Sequence, residues 1–485
     1  MPTRGTRQQS FPKQVTTRIA SGTRSVPDST ESFVPVEDWL GGEGRDPALS
    51  AERRAESLVS ANRGMFREFC INASVGRQSG RPGLIFQTST RIGALPLLSP
   101  VSGRVDFGLV IEPRFQWSSV GEMLAGMGFR VVPKLLPFPD LPQSERRVPP
   151  WVLSSIVLER IERLLHSMQR RFIVVEENRV GPQGAVLWDT YITSRFPLGH
   201  ALDVPCRFPD LRADEELRSA ANWVIRRHRD ALLGQTAAGI VVHQLLVKCD
   251  ELLARLRGSV PRMPSSQLRG KLQRQSLSTR VFQEGLQAIE WTAEERGLAG
   301  MSDLSGLSWR MDMEVFFEAW VEAIADGAAR RLGARLTSGR RDQTRVPLDW
   351  MPPSLGSQRS LVPDIVLQRE DVVIVVDAKY KRHAGDIERF GWQGVDTSIR
   401  EQHRKDVLQA LAYSTLFDAP RVVACLAYPA SVQTWKSLNE RGRVFSRARV
   451  RTGGRRVELA LLAVPLSGRS EEISAFLENL MREAA

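Results

Sequence analysis

Two aspartates and one lysine stand out in this sequence of 485 residues, because their spacing can bring them to one point. The segment LVPDIVLQREDVVIVVDAKYK contains two apolar runs around a short polar stretch, which predicts a β-hairpin that turns at Glu370 and Asp371. In the symmetric register Asp364 lies directly opposite Asp377, where cross-strand Cβ atoms are about 4.5–5.5 Å apart. Lys379 follows Asp377 by two residues and therefore shares its face of the strand.

Converging carboxylates beside an amine suit metal-assisted hydrolysis. Carboxylate oxygens are hard ligands of the kind that Mg²⁺ takes, and the ion keeps several of its waters. A bound metal lowers the pKa of a water and offsets charge on a phosphate, while Lys379 can orient that water or stabilise the developing charge. The alternative is a hairpin whose aspartates only form salt bridges to Lys379 and Lys381. The chain has 59 arginines and 8 lysines, and because two of these lysines fall here, we favour the metal site.

The elements around the hairpin alternate between helix and strand, which is typical of an α/β domain. Apolar residues at helical spacing, among them Phe317 and Trp320, predict a helix over 312–336. The elements predicted after the hairpin are a helix over 403–417, a strand over 421–428, a hairpin over 444–465 and a terminal helix over 471–482. We expect residues 311–485 to form one domain.

The upstream region is predicted to be an α+β domain with long helices. Its predicted helices cover 47–70, 120–127, 156–172, 214–256 with a bend near Gly234, and 277–296; its predicted strands and extended pieces cover 84–88, 93–98, 105–111, 131–136, 173–176 and 185–194. The fold class is therefore mixed α/β. The sections expected in order are a disordered basic arm over 1–45, an α+β partner-binding domain over 46–260, a basic helical linker over 261–310 and the α/β domain over 311–485.

Composition places the chain among folded proteins. It is 42% hydrophobic and 25% charged, and no apolar run is long enough for a membrane-spanning helix, so we expect no membrane association. The four cysteines are widely separated, which excludes a disulfide framework or a structural zinc site and fits a reducing cytoplasm. The net charge of +12 favours a polyanionic partner.

Three segments are unusually basic. Residues 1–33 are rich in Arg, Ser and Thr and poor in acids, and we interpret them as a disordered arm, with a targeting peptide as the alternative. Residues 252–283 contain seven basic residues and no acid; a DNA-binding or partner-binding link and a solvated linker both remain open for them.

The third basic segment, residues 441–456, contains seven arginines and no acid. Arg447, Arg449 and Arg451 alternate along a predicted strand and so project from one of its faces. We predict that they contact DNA phosphates, with a solvated face as the alternative. Changing all three to Glu should then lower DNA affinity and flatten its salt dependence, and an unchanged salt slope would contradict the prediction.

The P-D…D-A-K pattern formed by Asp364, Asp377 and Lys379 resembles the motif of the PD-(D/E)xK nucleases. Gln409 and Tyr413, one helical turn apart, are similar to the Q-x-x-x-Y extension of RecB-type nucleases. The wider layout resembles the McrC family, the nuclease subunits of McrBC-type modification-dependent restriction systems. The features that carry this likeness are Ile111-Glu112-Pro113, Met123-Leu124, Gly184 before a strand, Cys206 through Asn222 before a long helix, and Phe317-Glu318. Arg114 departs from it, since Lys is common there.

The resemblance implies a restriction-endonuclease-like fold for the C-terminal domain and a role for each matching residue. Asp364 and Asp377 would bind Mg²⁺, for which Mn²⁺ is expected to substitute, and Lys379 would be catalytic. Glu318 would complete the metal site, with a solvated helix acid as the alternative. The resemblance also implies that the helical pair, Gln409 and Tyr413, positions the nucleic acid or the active-site loop; its alternative role is packing on the sheet.

The sequence contains no nucleotide site of its own. Gly270-Lys271 lacks the upstream glycine and the following Ser or Thr of a P-loop, and no G-x-S-x-G or catalytic triad is present. The resemblance implies an AAA+ GTPase or ATPase partner of the McrB type, contacted by the N-terminal half of the chain.

Three functions follow from these observations. The favoured one is a Mg²⁺-dependent DNA endonuclease subunit of an antiviral restriction system. The second is an adaptor that activates an AAA+ NTPase and whose nuclease fold is idle, against which the aligned Asp364, Asp377 and Lys379 argue. The third is a RecB-type repair nuclease acting on DNA ends, which a preference for linear over circular DNA would favour.

Overall fold

The structure is a computed structural model, and it describes most of the chain. The described residues are 22–40, 47–115, 117–136, 149, 151–168, 171–212, 214–264, 280–293, 308–351, 358–450, 455–468 and 471–483. The chain divides into two compact units, the first made of residues up to Glu112 with 137–145, the second of 113–136 with 146–485. Among the described residues, no helix combines the length and apolarity that a membrane span requires.

The first unit contains two small sheets and three helices. In one sheet β1 (Gly22–Pro27) runs parallel to β6 (Val105–Glu112), which pairs antiparallel with β5 (Arg91–Leu98). The other sheet has the order β2-β4-β3, with β2 at Glu31–Pro35, β3 at Asn72–Gln78 and β4 at Arg81–Gln87. The helices are α1 (Glu37–Leu40), α2 (Pro47–Ala61) and α3 (Arg63–Glu68).

The second half of the predicted disordered arm is folded. Residues 22–40 contain β1, β2 and α1, while residues 1–21 lie outside the described part of the chain. Trp39 anchors the segment, because its ring is buried edge-on against Phe86 and Phe107 and its Nε1 donates to the Gly22 carbonyl at 3.1 Å. The composition of this segment did not reveal its structure, since its strands pair with strands at least 48 residues away.

The second unit begins with a mainly helical part. Its elements are α4 (Trp117–Gly126), β7 (Lys134–Leu135), α5 (Trp151–Ser167), α7 (Glu215–Leu233), α8 (Ile240–Arg255), α9 (Arg280–Ala293) and β11 (Trp309–Asp312). The break predicted near Gly234 is confirmed, since it separates α7 from α8. His228 is fully buried between Ser154 and Thr292, at 3.0 and 3.1 Å from their hydroxyls, so α9 packs with α5 and α7 although it was predicted to belong to a linker.

Residues 171–212 form a three-stranded sheet with a helical insertion. The strands are β8 (Arg171–Arg179), β9 (Ala185–Val186) and β10 (Val204–Arg212), in the order β8-β10-β9. The strand predicted over 185–194 ends after Val186 and is followed by helical turns: α6 (Trp188–Thr190), a π-helical turn (Tyr191–Arg195) and a 3₁₀ turn (Phe196–Leu198). The rings of Tyr191, Trp188 and Phe196 pack on one another here, which a strand would not allow.

A six-stranded mixed sheet with the order β12-β15-β16-β17-β19-β18 forms the core of the C-terminal part. Its strands are β12 (Arg335–Ser338), β15 (Ile365–Arg369), β16 (Val372–Ala378), β17 (Arg421–Ala430), β18 (Phe445–Val450) and β19 (Arg456–Pro465). A separate short pair joins β13 (Val346–Pro347) and β14 (Ser360–Leu361). Every residue of β17 is buried, as expected for a central parallel strand.

Helices cover both faces of this sheet. They are α10 (Met313–Leu332), α11 (His383–Gly394), α12 (Thr397–Ser414), α13 (Val432–Glu440) and α14 (Glu471–Arg482). On one face Tyr413 of α12 packs against Val373 and Val375 of β16. On the other face Arg421 of β17 donates to the Leu480 carbonyl of α14 at 2.6 Å, and Ser474 joins α14 to α10. The predicted alternation of helices and strands in residues 311–485 is therefore confirmed.

Candidate active site

The predicted hairpin has the predicted register. Ile365 pairs with Val376 and Val366 with Val375, so Asp364, just before β15, lies across from Asp377 near the end of β16. The two-residue turn places Glu370 at φ 50°, the positive φ that such tight hairpin turns require. Asp364 Oδ2 accepts a hydrogen bond of 2.8 Å from the backbone N–H of Ala378, which ties the first acid to the strand of the second.

Lys379 is held against Asp377. Its Nζ donates to Asp377 Oδ1 at 2.9 Å and lies 2.9 Å from Oδ2, while its backbone N–H donates to the Ala427 carbonyl of β17 at 2.9 Å. Asp377 is fully buried, yet its Oδ2 accepts no hydrogen bond among the described residues. The Lys379 ammonium is therefore the charged neighbour of both carboxylate oxygens, and a buried carboxylate needs such a partner because its charge is costly to bury alone.

The acids raise one another's pKa. Burial raises the pKa of Asp364 to about 8, and the negative charges of Asp377 and Glu318 add to the effect. Burial also raises the pKa of Glu318 to about 7, against the lowering effect of Arg340 and with help from Glu322 and Asp377. For Lys379, burial favours the neutral amine, but Asp377 outweighs it and raises the pKa of the ammonium. A divalent cation would relieve the repulsion among these carboxylates.

Glu318 extends from the face of α10 toward this group. The helix begins where Asp312 accepts hydrogen bonds from the N–H groups of Glu314 and Val315, and it ends at Gly333 in a left-handed conformation. Glu318 is half-buried, and its pKa responds to the charges of Asp377 and Lys379, so the structure brings the third predicted acid into electrostatic reach of the other two.

Gln409 and Tyr413 form a pair on α12. Gln409 Nε2 donates to the Tyr413 hydroxyl at 2.8 Å. The Tyr413 ring packs in the core with Val366 and Val373, and burial raises the pKa of its hydroxyl, with contributions from Asp377 and Asp364. Tyr413 therefore packs on the sheet, which is the alternative that the sequence offered for it, and its hydroxyl lies within electrostatic reach of the paired aspartates.

A second polar network beside the site was missed by sequence reasoning. Lys381 Nζ donates to both oxygens of Asp406 at 2.7 and 2.9 Å, Tyr428 donates to Asp406 Oδ2 at 3.0 Å, and His403 Nδ1 lies 3.0 Å from the Tyr428 hydroxyl. These residues come from three separate elements, and no periodic pattern connects them. The single available signal was the scarcity of lysine, which drew attention to Lys381.

A cluster of donors around one buried carboxylate, Glu322, supports α10 one turn beyond Glu318. Glu322 accepts hydrogen bonds from Arg341 at 2.7 Å, from Arg130 at 3.4 Å and from the Ser338 hydroxyl at 3.0 Å. Arg340 lies 3.5 Å from the same carboxylate and also lowers the pKa of Glu318. The cluster joins α10 to β12 and its following turn, so it orients the helix face that carries Glu318.

Tyr380, between the two lysines, is clamped by aromatic and cationic neighbours. Arg114 lies with its guanidinium carbon 4.1 Å from the Tyr380 ring centre and donates to the Tyr380 carbonyl at 3.1 Å. Phe115 and Phe317 contact the same ring edge-on or tilted at 6.0 and 6.2 Å. This packing fixes the backbone on which Lys379 and Lys381 are mounted.

The predicted arginine row lies away from the site. Arg447 and Arg449 pair with Ala460 and Glu458 across the β18–β19 ladder and face the α14 side of the sheet, whereas Asp377 faces the α12 side. Arg447 also forms ion pairs with Glu458 and Glu483, which neutralise its charge. Arg451 falls outside the described residues. The prediction that Arg447 and Arg449 share one face of their strand is confirmed. The sequence did not indicate which face of the sheet that would be.

The donor set fits a magnesium ion. Within the described residues, no three His, Cys, Asp or Glu side chains form a ready-made metal cluster. Mg²⁺, however, is usually held by one or two carboxylates and keeps its waters. Asp364 and Asp377 would supply these carboxylates, since they lie across from each other at the end of the hairpin.

Comparison with known proteins places this site in a family. A family model described as McrBC 5-methylcytosine restriction system component matches residues 142–429. The chain is similar to a Thermococcus gammatolerans assembly of McrB AAA+ hexamers with bound McrC, at 14% identity and a TM-score of 0.40, covering 94% of this chain and 100% of that one. It is also similar to a cryo-EM structure of the Thermococcus gammatolerans McrBC complex, at 14% identity and a TM-score of 0.25, covering 63% and 88%.

Comparison with curated proteins gives no match. The family match nevertheless spans more than half of the 485 residues and includes Asp364, Asp377 and Lys379. The chain therefore belongs to the family of McrBC 5-methylcytosine restriction system components.

Proposed function

We propose that the chain is the nuclease subunit of a McrBC-like antiviral restriction system, a cytoplasmic Mg²⁺-dependent DNA endonuclease that works with an AAA+ NTPase. The observation that carries the proposal is the alignment of Asp364 and Asp377 across one hairpin, with the Lys379 ammonium 2.9 Å from both carboxylate oxygens of Asp377. Paired acids and a lysine in this arrangement suit phosphodiester hydrolysis, and the aligned set argues against an adaptor whose nuclease fold is idle.

Each side chain has a distinct part in this reaction. Asp364 and Asp377 would hold the ion, with Glu318 beside them; the ion supplies an activated water and offsets phosphate charge when bound. Lys379 keeps its proton because Asp377 raises its pKa, so its ammonium is a compact donor for the negative charge that develops on the scissile phosphate. The Tyr380 clamp restricts where that ammonium can move. Tyr413, oriented by Gln409, supplies a hydroxyl next to the acids.

Partner association is proposed for the sheet and insertion of residues 171–212. Large apolar side chains are exposed there: Trp188, Phe196, Leu198 and Leu202 are 60 to 71% accessible. Exposed apolar patches of this kind mark protein interaction sites. The chain also has no P-loop, so any dependence on nucleotide hydrolysis must come from another subunit, which we propose is a McrB-like GTPase or ATPase.

Cleavage of DNA by matched variants tests the proposal. Asp377→Ala or Lys379→Ala should reduce cleavage, measured with Mg²⁺ and the AAA+ partner, by at least about 100-fold, since each removes a group that acts on the reacting phosphate. Asp371→Ala at the exposed hairpin turn and Lys405→Ala on the exposed side of α12 are the controls and should cleave normally. Circular dichroism confirms folding. Cleavage retained by both site variants would overturn the assignment of the site to Asp377 and Lys379, no cleavage by the wild type would overturn the nuclease proposal, and a preference for linear DNA would favour the RecB-type alternative.

A further inference from the structure

A cavity of about 340 Å³ lies beside the proposed active site. It is lined by Trp392 of α11, His403 of α12, Tyr428 of β17 and Leu438 of α13, together with residues at the start of β18 and the end of β19. Cavities of roughly 300–1,000 Å³ are of the size that holds small ligands. None of these residues takes part in the hydrolysis proposed above.

The cavity is on the same face of the sheet as the paired acids. Leu426 pairs with Asp377 across the parallel β16–β17 ladder, and Tyr428 lies two residues further along β17 on the same face. Strand spacing and rise place the Cα atoms of Asp377 and Tyr428 about 8 Å apart. That separation corresponds to two or three nucleotide steps at roughly 3.4 Å per step along a DNA strand.

Hydrogen bonding leaves His403 with an acceptor nitrogen for a ligand. The Tyr428 hydroxyl donates its proton to Asp406 Oδ2, so its oxygen accepts from His403 Nδ1. Burial lowers the pKa of His403 against the raising effect of Asp406, and the charge of Lys381 adds to the lowering, which favours the neutral ring. A neutral imidazole that donates through Nδ1 has an unprotonated Nε2, which accepts a hydrogen bond.

The remaining lining is aromatic and cationic. The Trp392 ring is 47% exposed and lies 5.3 Å from His403 between ring centres, so it offers a surface for stacking. Arg441 and Arg443 are at the rim; Arg441 pairs with Glu388 at 2.7 Å, and Arg443 is exposed. Two guanidinium groups against one carboxylate leave the rim with one net positive charge, which favours an anionic ligand.

We propose that this cavity is a nucleotide subsite, which holds a base of the DNA strand against Trp392, accepts a hydrogen bond from it at His403 Nε2 and faces its phosphate with Arg443. An aromatic surface, a fixed acceptor and a cationic rim are the features that recognise an unstacked base with its phosphate. The inference rests on the proposed nuclease function and adds where the substrate strand lies relative to Asp377.

Saturation-transfer NMR on the full-length protein tests the subsite. The probes are the four deoxynucleoside 5′-monophosphates at millimolar concentration, with EDTA present so that no metal contributes. We expect transfer to at least one of them, and its affinity should fall about 10-fold or more in Trp392→Ala, as loss of a stacking aromatic does, and in Arg443→Glu. Trp188→Ala and Arg335→Glu, both at exposed positions away from the cavity, should bind as the wild type does.

Two results would overturn the inference. One is no transfer from the wild type to any of the four nucleotides; the other is equal binding by Trp392→Ala. If Trp392→Ala instead loses association with the AAA+ partner and no nucleotide binds, the cavity docks a protein segment. Asp377→Ala separates the two proposals, because it should bind nucleotide normally and cleave no DNA. Cleavage by Asp377→Ala would overturn the placement of the active site at Asp377, and no cleavage by the wild type would end the nuclease proposal; neither result would change the nucleotide-binding result.

Discussion

Asp377 is the central residue of the candidate site. Its Oδ1 accepts from Lys379, its backbone lies between two paired strands, and its buried Oδ2 accepts no hydrogen bond among the described residues. The neighbouring acids hold their protons unusually tightly, since the pKa of Asp364 is raised to about 8 and that of Glu318 to about 7. A divalent cation bound here would make the ionised forms of these carboxylates favourable, because its charge would offset their mutual repulsion.

Metal affinity should therefore depend on pH. Below the raised pKa values Asp364 and Glu318 are protonated and must lose protons before they bind an ion, so affinity for Mn²⁺ should increase from about pH 6 to about pH 9 with release of protons. Calorimetry in buffers of different ionisation heat measures both quantities. Affinity that is constant over this range, with no proton release, would show that these carboxyl groups do not bind the metal.

The sequence was sufficient to predict the pairing of the two aspartates but not the polar network beside them. The register of Asp364 and Asp377 followed from two apolar runs and one polar turn, which are local features. Lys381, Asp406 and Tyr428 could not be connected, because their contacts depend on how α12 lies across β16 and β17.

At the scale of elements, an internal ion-pair network fixes one edge of the six-stranded sheet. Arg421 is fully buried and lies 3.3 Å from Glu458, which also receives Arg447 at 2.8 Å. Arg421 further donates to the carbonyls of Leu480 and Glu483, so it joins β17, β18 and β19 to α14. A buried arginine of this kind needs its carboxylate partner, since losing one member leaves an uncompensated charge.

Glu458→Gln should destabilise the protein in a pH-dependent way. Burial opposes ionisation of Glu458, but hydrogen bonds from Arg447 and Arg421 outweigh it and lower the pKa to about 2 from an ordinary value of 4.5. A lowered folded-state pKa contributes stability above the unfolded pKa and loses it as the pH falls toward the folded one. The variant should therefore cost about 2–4 kcal/mol near pH 7, and the difference should shrink below about pH 4.5.

Urea unfolding at a series of pH values measures this difference. Glu440→Gln, at an exposed position on α13, is the matched control and should change stability little at any pH. A cost for Glu458→Gln that stays the same down to about pH 3 would show that the ion pairs do not hold this edge.

Most elements follow from sequence spacing, and the exceptions have physical causes. The terminal helix at Glu471–Arg482 and the break between α7 and α8 match the predictions, because apolar periodicity and helix-breaking residues are local signals. The stretch after Val186 contains β-favouring aromatics yet forms helical turns, since its rings pack on each other. The face of the sheet on which the β18 arginines project depends on how β18 pairs with β19, and the sequence alone does not specify that pairing.

At the scale of the whole molecule, the proposed metal site and the proposed partner surface lie in different parts of the chain. The described part of residues 308–483 carries the acids, the lysine and the cavity, and the four apolar side chains of the proposed partner surface lie within 171–212. The net charge of +12 favours association with DNA in the assembled system. Partner binding and metal binding should therefore respond to different substitutions.

Leu198→Asp combined with Leu202→Asp should weaken association with the AAA+ partner by about 10-fold or more, since burying a charge at an apolar interface is costly. Both side chains are exposed, so the fold should be unaffected. Val101→Asp, at a position 70% exposed in the first unit, serves as the control. Association can be measured by sedimentation or surface plasmon resonance. Undiminished association, or an equal loss with Val101→Asp, would show that this surface does not bind the partner.

Calorimetric titration of Mn²⁺ and Mg²⁺ into the wild type, Asp377→Ala and Asp371→Ala tests the central claim most directly, because it needs neither the partner nor the DNA target. Circular dichroism establishes that all three proteins are folded. The structure predicts that the wild type and Asp371→Ala bind the metal and that Asp377→Ala does not. Binding that is equal in all three proteins, or absent from the wild type, would contradict a metal centre at the paired aspartates.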